Sequence, residues 1–296
     1  MSKLLVGLDL DDASGAPLRW ARRIGEWTGF AQELVHVVEK VPTEAGLQIL
    51  RSKHPEALDR ILEEARGRVR EQLKEWGEKG AESEVTLRVG RPSRELTAYA
   101  GKVDGGVLVL GAGRRRWVES LLGTTTDRAL RTSPSPVLVA RGVPNGKPSR
   151  IMAAVDLSAH ASGVLEVARQ WALALDTPIT IFHVPQPRWK NAFLEGRGEH
   201  VADEMFERAD EARARAGKEL EALVKEHGED VETEVELAEV GAWPPDAIAA
   251  RLDSGEFGLL ITGTHGAGGV DRFILGSVAE SLTRRSPVPV LVVPGS

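Results

Sequence analysis

The chain has 296 residues, 42% of them hydrophobic and 28% charged, with a formal net charge of −6 and no cysteine. The acidic balance argues against a nucleic-acid-binding protein with a basic face, and the lack of cysteine excludes disulfides, thiolate zinc sites and cysteine nucleophiles. The apolar runs are too short for a signal peptide or for a membrane span of about 20 residues. We therefore expect a cytoplasmic protein of two domains, without nucleic-acid or membrane partners.

The first half alternates short strands with helical patterns, in which apolar residues recur at the spacing of one helix face. The predicted strands of this half are Lys3–Asp9, Glu33–Val38, Glu84–Arg88, Val107–Gly111 and Pro136–Ala140. A run of glycine, proline and polar residues at 142–149 follows the fifth strand. Such a run is typical of a linker between domains.

The second half repeats the same order of elements. Its predicted strands are Arg150–Asp156, Ile179–Val184, Glu234–Leu237, Leu259–Gly263 and Val290–Val293. Strands that are apolar on both faces are typical of a parallel sheet covered by helices on both sides. The sequence predicts the α/β class, with two tandem doubly wound domains at 1–143 and 149–296. Each domain is expected to hold a five-stranded parallel sheet, with helices on both faces and a ligand site beyond the carboxyl ends of its strands.

The two halves are related by an internal repeat. An offset of 147 residues superposes Asp9 on Asp156 and His36 on His183, and an offset of 153 superposes two Pro-Val-Leu-Val runs near the ends of the halves. This pattern indicates a tandem duplication. The change in offset places about six extra residues in the second half, most simply between its second strand and its second helix.

A glycine motif follows the fourth strand of the second half. Gly263, Gly266, Gly276 and Ser277 have the spacing Gly-x2-Gly-x9-Gly-Ser. Glycines allow close approach of the backbone to a ligand, and a Gly-Ser pair that opens a helix offers N–H groups and a hydroxyl to an anion. The set predicts phosphate binding, although each residue alone could be a turn glycine or a helix cap, and Asp156 could cap the following helix.

Together with the strand-end aspartates, the His-Val pairs and the final Ser-x-x-Pro-Val-Leu-Val-Val, the motif resembles the universal stress protein family in tandem form, over nearly the whole chain. In the ATP-binding branch of that family, the aspartate and the valine after the histidine hold the adenosine, and the glycine motif wraps the phosphates. The resemblance implies a stress-response regulatory protein that binds ATP, with Mg²⁺ held through the phosphates. It implies these nucleotide-binding residues: Asp156, Val184, Thr262, Gly263, Gly266, Gly276, Ser277 and Val278.

The first half departs from the motif, because counting from Gly111 puts Arg114 where the second glycine belongs. If one residue is deleted between the first and second glycines of the motif, Gly113 takes the place of the second glycine and the remaining spacing is restored. A threonine then stands in place of the serine. The three arginines at 114–116 could clamp a triphosphate or fill the space that it needs. A weaker second site would comprise Asp9, Val37, Gly111, Gly113, Gly123 and Thr124.

Two other classes of function stay open, a nucleotide-independent interaction module and a slow ATPase. No general base with an orienting partner is evident, so we expect no catalytic residues and at most weak hydrolysis. His36 and His183 are interpreted as hydrogen-bonded structural residues, and no cluster has the spacing of metal ligands. In the family the last strand commonly pairs with its equivalent in another domain. This implies a pseudo-dimer within one chain, while a homodimer and a protein partner stay open.

Overall fold

The structure is a computed structural model that describes residues 2–10, 15–39, 44–77, 85–113, 123–186, 201–227, 230–264 and 275–295. The chain divides into two compact units. Unit 1 comprises residues 1–147 and 289–294, and unit 2 comprises residues 148–288 and 295–296. Within the described ranges, no helix is both long and apolar enough to cross a membrane.

All ten predicted strands are present, with ends that differ from the predictions by a few residues. The strands are β1 (Lys3–Leu8), β2 (Ala31–Val38), β3 (Thr86–Val89), β4 (Gly106–Gly111), β5 (Val137–Ala140), β6 (Ile151–Ala154), β7 (Ile179–His183), β8 (Thr233–Leu237), β9 (Leu259–Gly263) and β10 (Val290–Val293). The helices are α1 (Ala16–Thr28), α2 (Glu44–Lys53), α3 (Pro55–Glu75), α4 (Pro92–Ala100), α5 (Thr124–Thr132), α6 (Ala161–Leu175), α7 (Val201–His227), α8 (Pro244–Leu252) and α9 (Ser277–Arg285).

The sheet of unit 1 has the strand order β3-β2-β1-β4-β5-β10. Strands β1 to β5 pair in parallel, and β10 pairs antiparallel with β5, with Leu291 opposite Leu138. The central strand β4 reads Gly-Val-Leu-Val-Leu-Gly, and residues 106–110 are all buried, as expected for a strand covered on both faces. The pairing of β5 with β10 joins the fifth strands of the two repeats. The pseudo-dimer itself stays a prediction.

Unit 2 contains the parallel strands β9-β6-β7-β8 in that order. The connections from β6 to β7 to β8 run one way along the sheet, and the connection from β8 to β9 runs back. Because parallel crossovers are right-handed, α6 and α7 lie on one face and α8 lies on the other. Accordingly α6 contacts α7, and α8 contacts α9. The α/β class with tandem parallel units is therefore confirmed, and the strand order reverses between β6 and β9, where such folds bind ligands.

Strand registers show where the second repeat is longer. His36 of β2 lies opposite Leu87, which follows it by 51 positions, whereas His183 of β7 lies opposite Leu237, which follows it by 54. Three extra residues therefore lie between the second and third strands of unit 2.

The first and fourth strands give a second measure. Leu4 lies opposite Val107, 103 positions later, whereas Ile151 lies opposite Leu259, 108 positions later. The difference is five residues, of which three lie between the second and third strands. Two further residues are therefore inserted between the third and fourth strands, and the sixth lies in the loop after the fourth strand. The prediction of one insertion, between the second strand and the second helix, is wrong. The six residues are distributed over three connections, which a sequence offset alone does not resolve.

Candidate functional site

A cavity of about 590 Å³ opens in unit 2 at the carboxyl ends of β6, β7 and β9, where the strand order reverses. Its walls come from these strand ends and from α6, α7, α8 and the start of α9. Seven residues predicted from the sequence line it: Asp156, Val184, Thr262, Gly263, Gly276, Ser277 and Val278. The eighth, Gly266, lies outside the described residues.

The sequence predicted Asp156 as the last residue of a strand, but Asp156 lies two residues beyond the end of β6. Its carboxylate oxygen Oδ1 accepts a hydrogen bond from the N–H of Ser158 at 3.1 Å. The N-cap position of α6 belongs to His160, so Asp156 stabilises the turn before the helix and does not cap the helix. The side chain remains exposed at the cavity.

The residue after Asp156 has an unusual backbone. Leu157 has a φ of 60°, in the left-handed region that is uncommon for residues other than glycine. Backbone strain of this kind costs of the order of 1–3 kcal/mol and is concentrated at ligand-binding sites. Because Leu157 also lines the cavity, the strained turn shapes the cavity wall next to Asp156.

His183 joins two strand ends beneath the cavity. Its Nδ1 lies 2.7 Å from the carbonyl oxygen of Val155, and because a carbonyl only accepts, Nδ1–H is the donor. Burial lowers the pKa of His183, although the backbone bond and Asp156 oppose this shift. The neutral imidazole therefore has its lone pair on Nε2.

Unit 1 repeats this arrangement. Nδ1 of His36 lies 3.0 Å from the carbonyl oxygen of Leu8, and burial lowers the pKa of His36 as well. The hydrogen bonds predicted for the two histidines are thus confirmed. The same contact in both repeats indicates a role in holding the first two strands of each unit together at their carboxyl ends.

The glycine motif connects β9 to α9. The N–H of Gly276 donates to the carbonyl oxygen of Thr264 at 2.8 Å, which closes the loop between them. Gly276 is the N-cap of α9 and has no side chain, and the first backbone bond of the helix runs from Glu280 back to Gly276. The N–H groups of Ser277 and Val278 consequently have no acceptor within the helix. They form, with the partial positive charge of the helix end, a site suited to an anion.

The corresponding loop of unit 1 is one residue shorter. The N–H of Gly123 donates to the carbonyl oxygen of Ala112 at 3.1 Å, with ten residues between them, whereas eleven separate Thr264 from Gly276. A Cβ atom on Gly123 would lie 3.3 Å from the Cα of Gly113. Gly123 thus has a packing reason to be glycine that requires no phosphate, and Gly113 has a φ of 106°, which favours glycine.

The other predicted residues of unit 1 lie at the same edge of its sheet. Asp9 follows β1, Gly111 ends β4, Thr124 begins α5, and Val37 is buried in β2. Arg114 to Arg116 lie outside the described residues. Whether these groups form a second nucleotide site therefore stays a prediction.

The sequence did not predict the wall contributed by α7. Ala212, Arg215, Ala216 and Glu219 line the cavity, with the spacing of one helix face. Charged residues dominate the sequence of this region, which is typical of a solvated helix face. The two alanines, each 4% exposed, were the available signal, since small apolar residues in a charged helix mark its buried face.

The cavity has no ready-made metal centre among its described residues. In the described part of the chain, no group of three or more His, Asp or Glu side chains is placed to hold a metal ion.

Comparison with known proteins gives the family. The sequence model of the universal stress protein family matches residues 1–141 and 148–294. The chain belongs to the universal stress protein family. It carries two universal stress protein domains in tandem, as the motifs indicated.

Individual universal stress proteins are similar to parts or all of the chain. A protein of Staphylococcus aureus strain USA300, named as a universal stress protein, is 32% identical over 149 residues, which is 48% of this chain and 82% of that protein. The crystal structure of a universal stress protein from Archaeoglobus fulgidus superposes with a TM-score of 0.65 at 22% identity, covering 99% of this chain and 98% of that one. A universal stress protein from Pseudomonas aeruginosa superposes with a TM-score of 0.61 at 16% identity, covering 99% and 93%. At these identities the structural likeness shows the fold alone.

Proposed function

We propose that this universal stress protein binds ATP in the cavity of unit 2 and acts as a nucleotide-dependent regulator in the cytoplasm. The observation that carries the proposal is the convergence of predicted residues from four separate segments on one cavity. The cavity lies at the reversal of strand order, and its volume of about 590 Å³ is within the usual range for small-molecule and cofactor sites.

The phosphates would bind at the start of α9. The N–H groups of Ser277 and Val278 and the hydroxyl of Ser277 supply donors, and Gly276 and Gly263 permit close approach of the backbone. Hydrogen bonds to charged groups contribute about 1.5–3 kcal/mol each.

The nucleoside would lie toward β6 and β7. The exposed carboxylate of Asp156 can accept hydrogen bonds from ribose hydroxyls or from the edge of the base. Val184, which is 5% exposed, follows β7 and lines the cavity beside it. Thr262, also 5% exposed, would contribute packing rather than a charged contact.

Mg²⁺ would be held through the phosphates. Magnesium prefers oxygen ligands and retains several waters, so it is commonly bound by one or two protein groups together with substrate phosphates. Ser277 lies at the expected phosphate position and offers a hydroxyl oxygen. In this arrangement the ion neutralises charge on the nucleotide and requires no cluster of protein ligands.

Regulation fits the site better than catalysis. Nδ1 of His183 is engaged by Val155, and no carboxylate among the described cavity residues orients its ring as a general base. Hydrolysis of ATP would accordingly be slow. Occupancy of the site would instead alter the surface that a protein partner recognises.

The proposal is tested by a pair of equivalent substitutions. Ser277→Ala removes the hydroxyl from the first residue of α9, and Thr124→Ala removes it from the first residue of α5. We expect S277A to weaken ATP binding roughly ten- to a hundredfold, the equivalent of one hydrogen bond to a charged group. T124A, which lies in unit 1, should leave the affinity of the unit 2 site unchanged. Isothermal titration calorimetry measures both.

Equal affinities of S277A and the wild type would contradict the phosphate position. Failure of the wild-type protein to bind ATP, ADP or AMP would favour an interaction module that functions without nucleotide. Steady release of ADP well above background would favour an ATPase.

A further inference from the structure

One face of α7 forms a wall of the cavity that the proposed function does not use. Ala212 and Ala216 are each 4% exposed, and because alanine ends at Cβ, the cavity reaches the helix backbone at these positions. Arg215 and Glu219 line the cavity from the same face but are exposed to solvent. The wall therefore combines a close approach to the helix with two charged side chains at the opening.

Arg215 is the one permanent cation among the described residues that line this cavity. Within the described ranges no ion pair or hydrogen bond involves its guanidinium group. Its neighbour Arg213 differs, because that guanidinium donates to the carbonyl oxygens of Ala238 at 3.1 Å and Leu237 at 3.4 Å. Arg213 thus fixes α7 to the end of β8, and this anchor holds Arg215 at the cavity.

The strand order places Arg215 away from the phosphate position. Helix α7 packs on β8 and α6, whereas the glycine motif follows β9 and opens α9. In the order β9-β6-β7-β8 these two strands are three steps apart. Neighbouring strands are about 4.8 Å apart, so β8 and β9 are separated by roughly 14 Å. Arg215 is therefore on the side of the cavity where Asp156 and Val184 lie.

We infer that Arg215 is a specificity-determining residue that stacks on the base of the bound nucleotide. This inference rests on the proposed function, which assigns Asp156 and Val184 to the nucleoside. A guanidinium group is planar, carries a permanent charge and stacks on aromatic rings. The base is the aromatic part of a nucleotide, and stacking on arginine contributes to nucleic-acid base recognition in proteins generally.

The alternative is that Arg215 pairs with phosphate. The two roles differ in how affinity depends on the number of phosphates. A contact to the base is the same in AMP, ADP and ATP, whereas a contact to phosphate strengthens as charge is added. Adenosine has the same base and ribose but no phosphate, so adenosine compared with AMP, ADP and ATP separates these roles in one series.

The test compares Arg215→Ala and Arg215→Lys with Lys218→Ala by calorimetry against adenosine, AMP, ADP and ATP. Lys218 is exposed on α7 and does not line the cavity, so K218A loses the same charge elsewhere on the helix. We expect R215A to weaken all three nucleotides by a similar factor of about ten. R215K should recover only part of the loss because an ammonium group lacks the planar surface. K218A should bind like the wild type.

A loss that is absent with adenosine, or one that grows from AMP to ATP, would overturn the base contact in favour of a phosphate contact. Unchanged binding by R215A, with binding by the wild type intact, would overturn the role of Arg215 while leaving the proposed function in place. A wild-type protein that binds none of the three nucleotides would overturn the proposed function and, with it, this inference.

Discussion

Replacement of Gly276 by leucine probes the phosphate position directly. Gly276 has φ −60° and ψ 146°, which any L-amino acid adopts, and its N–H bond to Thr264 needs no particular side chain. The backbone conformation of Gly276 therefore accommodates a leucine without strain. The new side chain would project at the cavity wall where the phosphates are proposed to bind.

The expected loss follows from the donors that the leucine would block. If two hydrogen bonds to phosphate are lost at about 1.5–3 kcal/mol each, binding weakens by roughly 3–6 kcal/mol, or about two to four orders of magnitude in Kd. Gly163→Leu provides a matched control, because Gly163 is an exposed residue of α6 with no atom within 4 Å of an added Cβ. That variant should bind ATP like the wild type.

Calorimetry with ATP measures the affinity of both variants, and thermal unfolding verifies that each is folded. An unchanged ATP affinity in folded Gly276→Leu would refute the assignment of the glycine motif to the phosphates. A loss of affinity in Gly163→Leu of similar size would show that the effect is not local to the cavity.

Two further predictions concern stability. Burial lowers the pKa of His183 from its ordinary value of 6.5. Below pH 6.5 the unfolded chain therefore binds more protons than the folded one. The free energy of unfolding should decline as the pH falls through 6.5 toward the lowered pKa. Measured by urea unfolding at pH 7.5 and 5.5, His183→Gln should lose less stability at the lower pH than the wild type does. An identical pH dependence of the two proteins would contradict the buried neutral state. Leu291→Ala in β10 should lower the free energy of unfolding by about 2–5 kcal/mol because the side chain is fully buried. Val143→Ala, at a residue 66% exposed, should change the free energy of unfolding by less than about 0.5 kcal/mol. Equal urea midpoints for the two variants would contradict the packing of β10.

Much of the fold could be predicted because its signals are local. Strands such as β4 and β9 are continuous apolar runs between glycines, and the tandem repeat shows each element twice. The glycine motif is likewise a short segment with a fixed spacing. The position of Asp156 was harder to predict. The sequence placed it at the end of a strand, whereas it lies in the following turn. Strand ends depend on which backbone groups find partners, and apolar patterning does not record this.

Other features depend on contacts between distant segments. The role proposed for Arg215 depends on the packing and anchoring of α7 over the sheet, and in sequence this residue resembles any other charge on a solvated helix. The grouping of β10 with unit 1 depends on its antiparallel pairing with β5, which strand propensity does not specify. The close approach of Gly123 to Gly113 similarly gives Gly123 a structural reason to be glycine that motif spacing does not reveal.

The stoichiometry of ATP binding tests the account most directly. Unit 2 presents a cavity lined by seven of the predicted residues, whereas the loop of unit 1 is one residue shorter and its glycines are packed together. Calorimetric titration of the full chain should therefore give one tight equivalent of ATP per chain, and S277A should weaken that equivalent. Two equivalents of similar affinity, or one that S277A leaves unchanged, would contradict the assignment of nucleotide binding to unit 2.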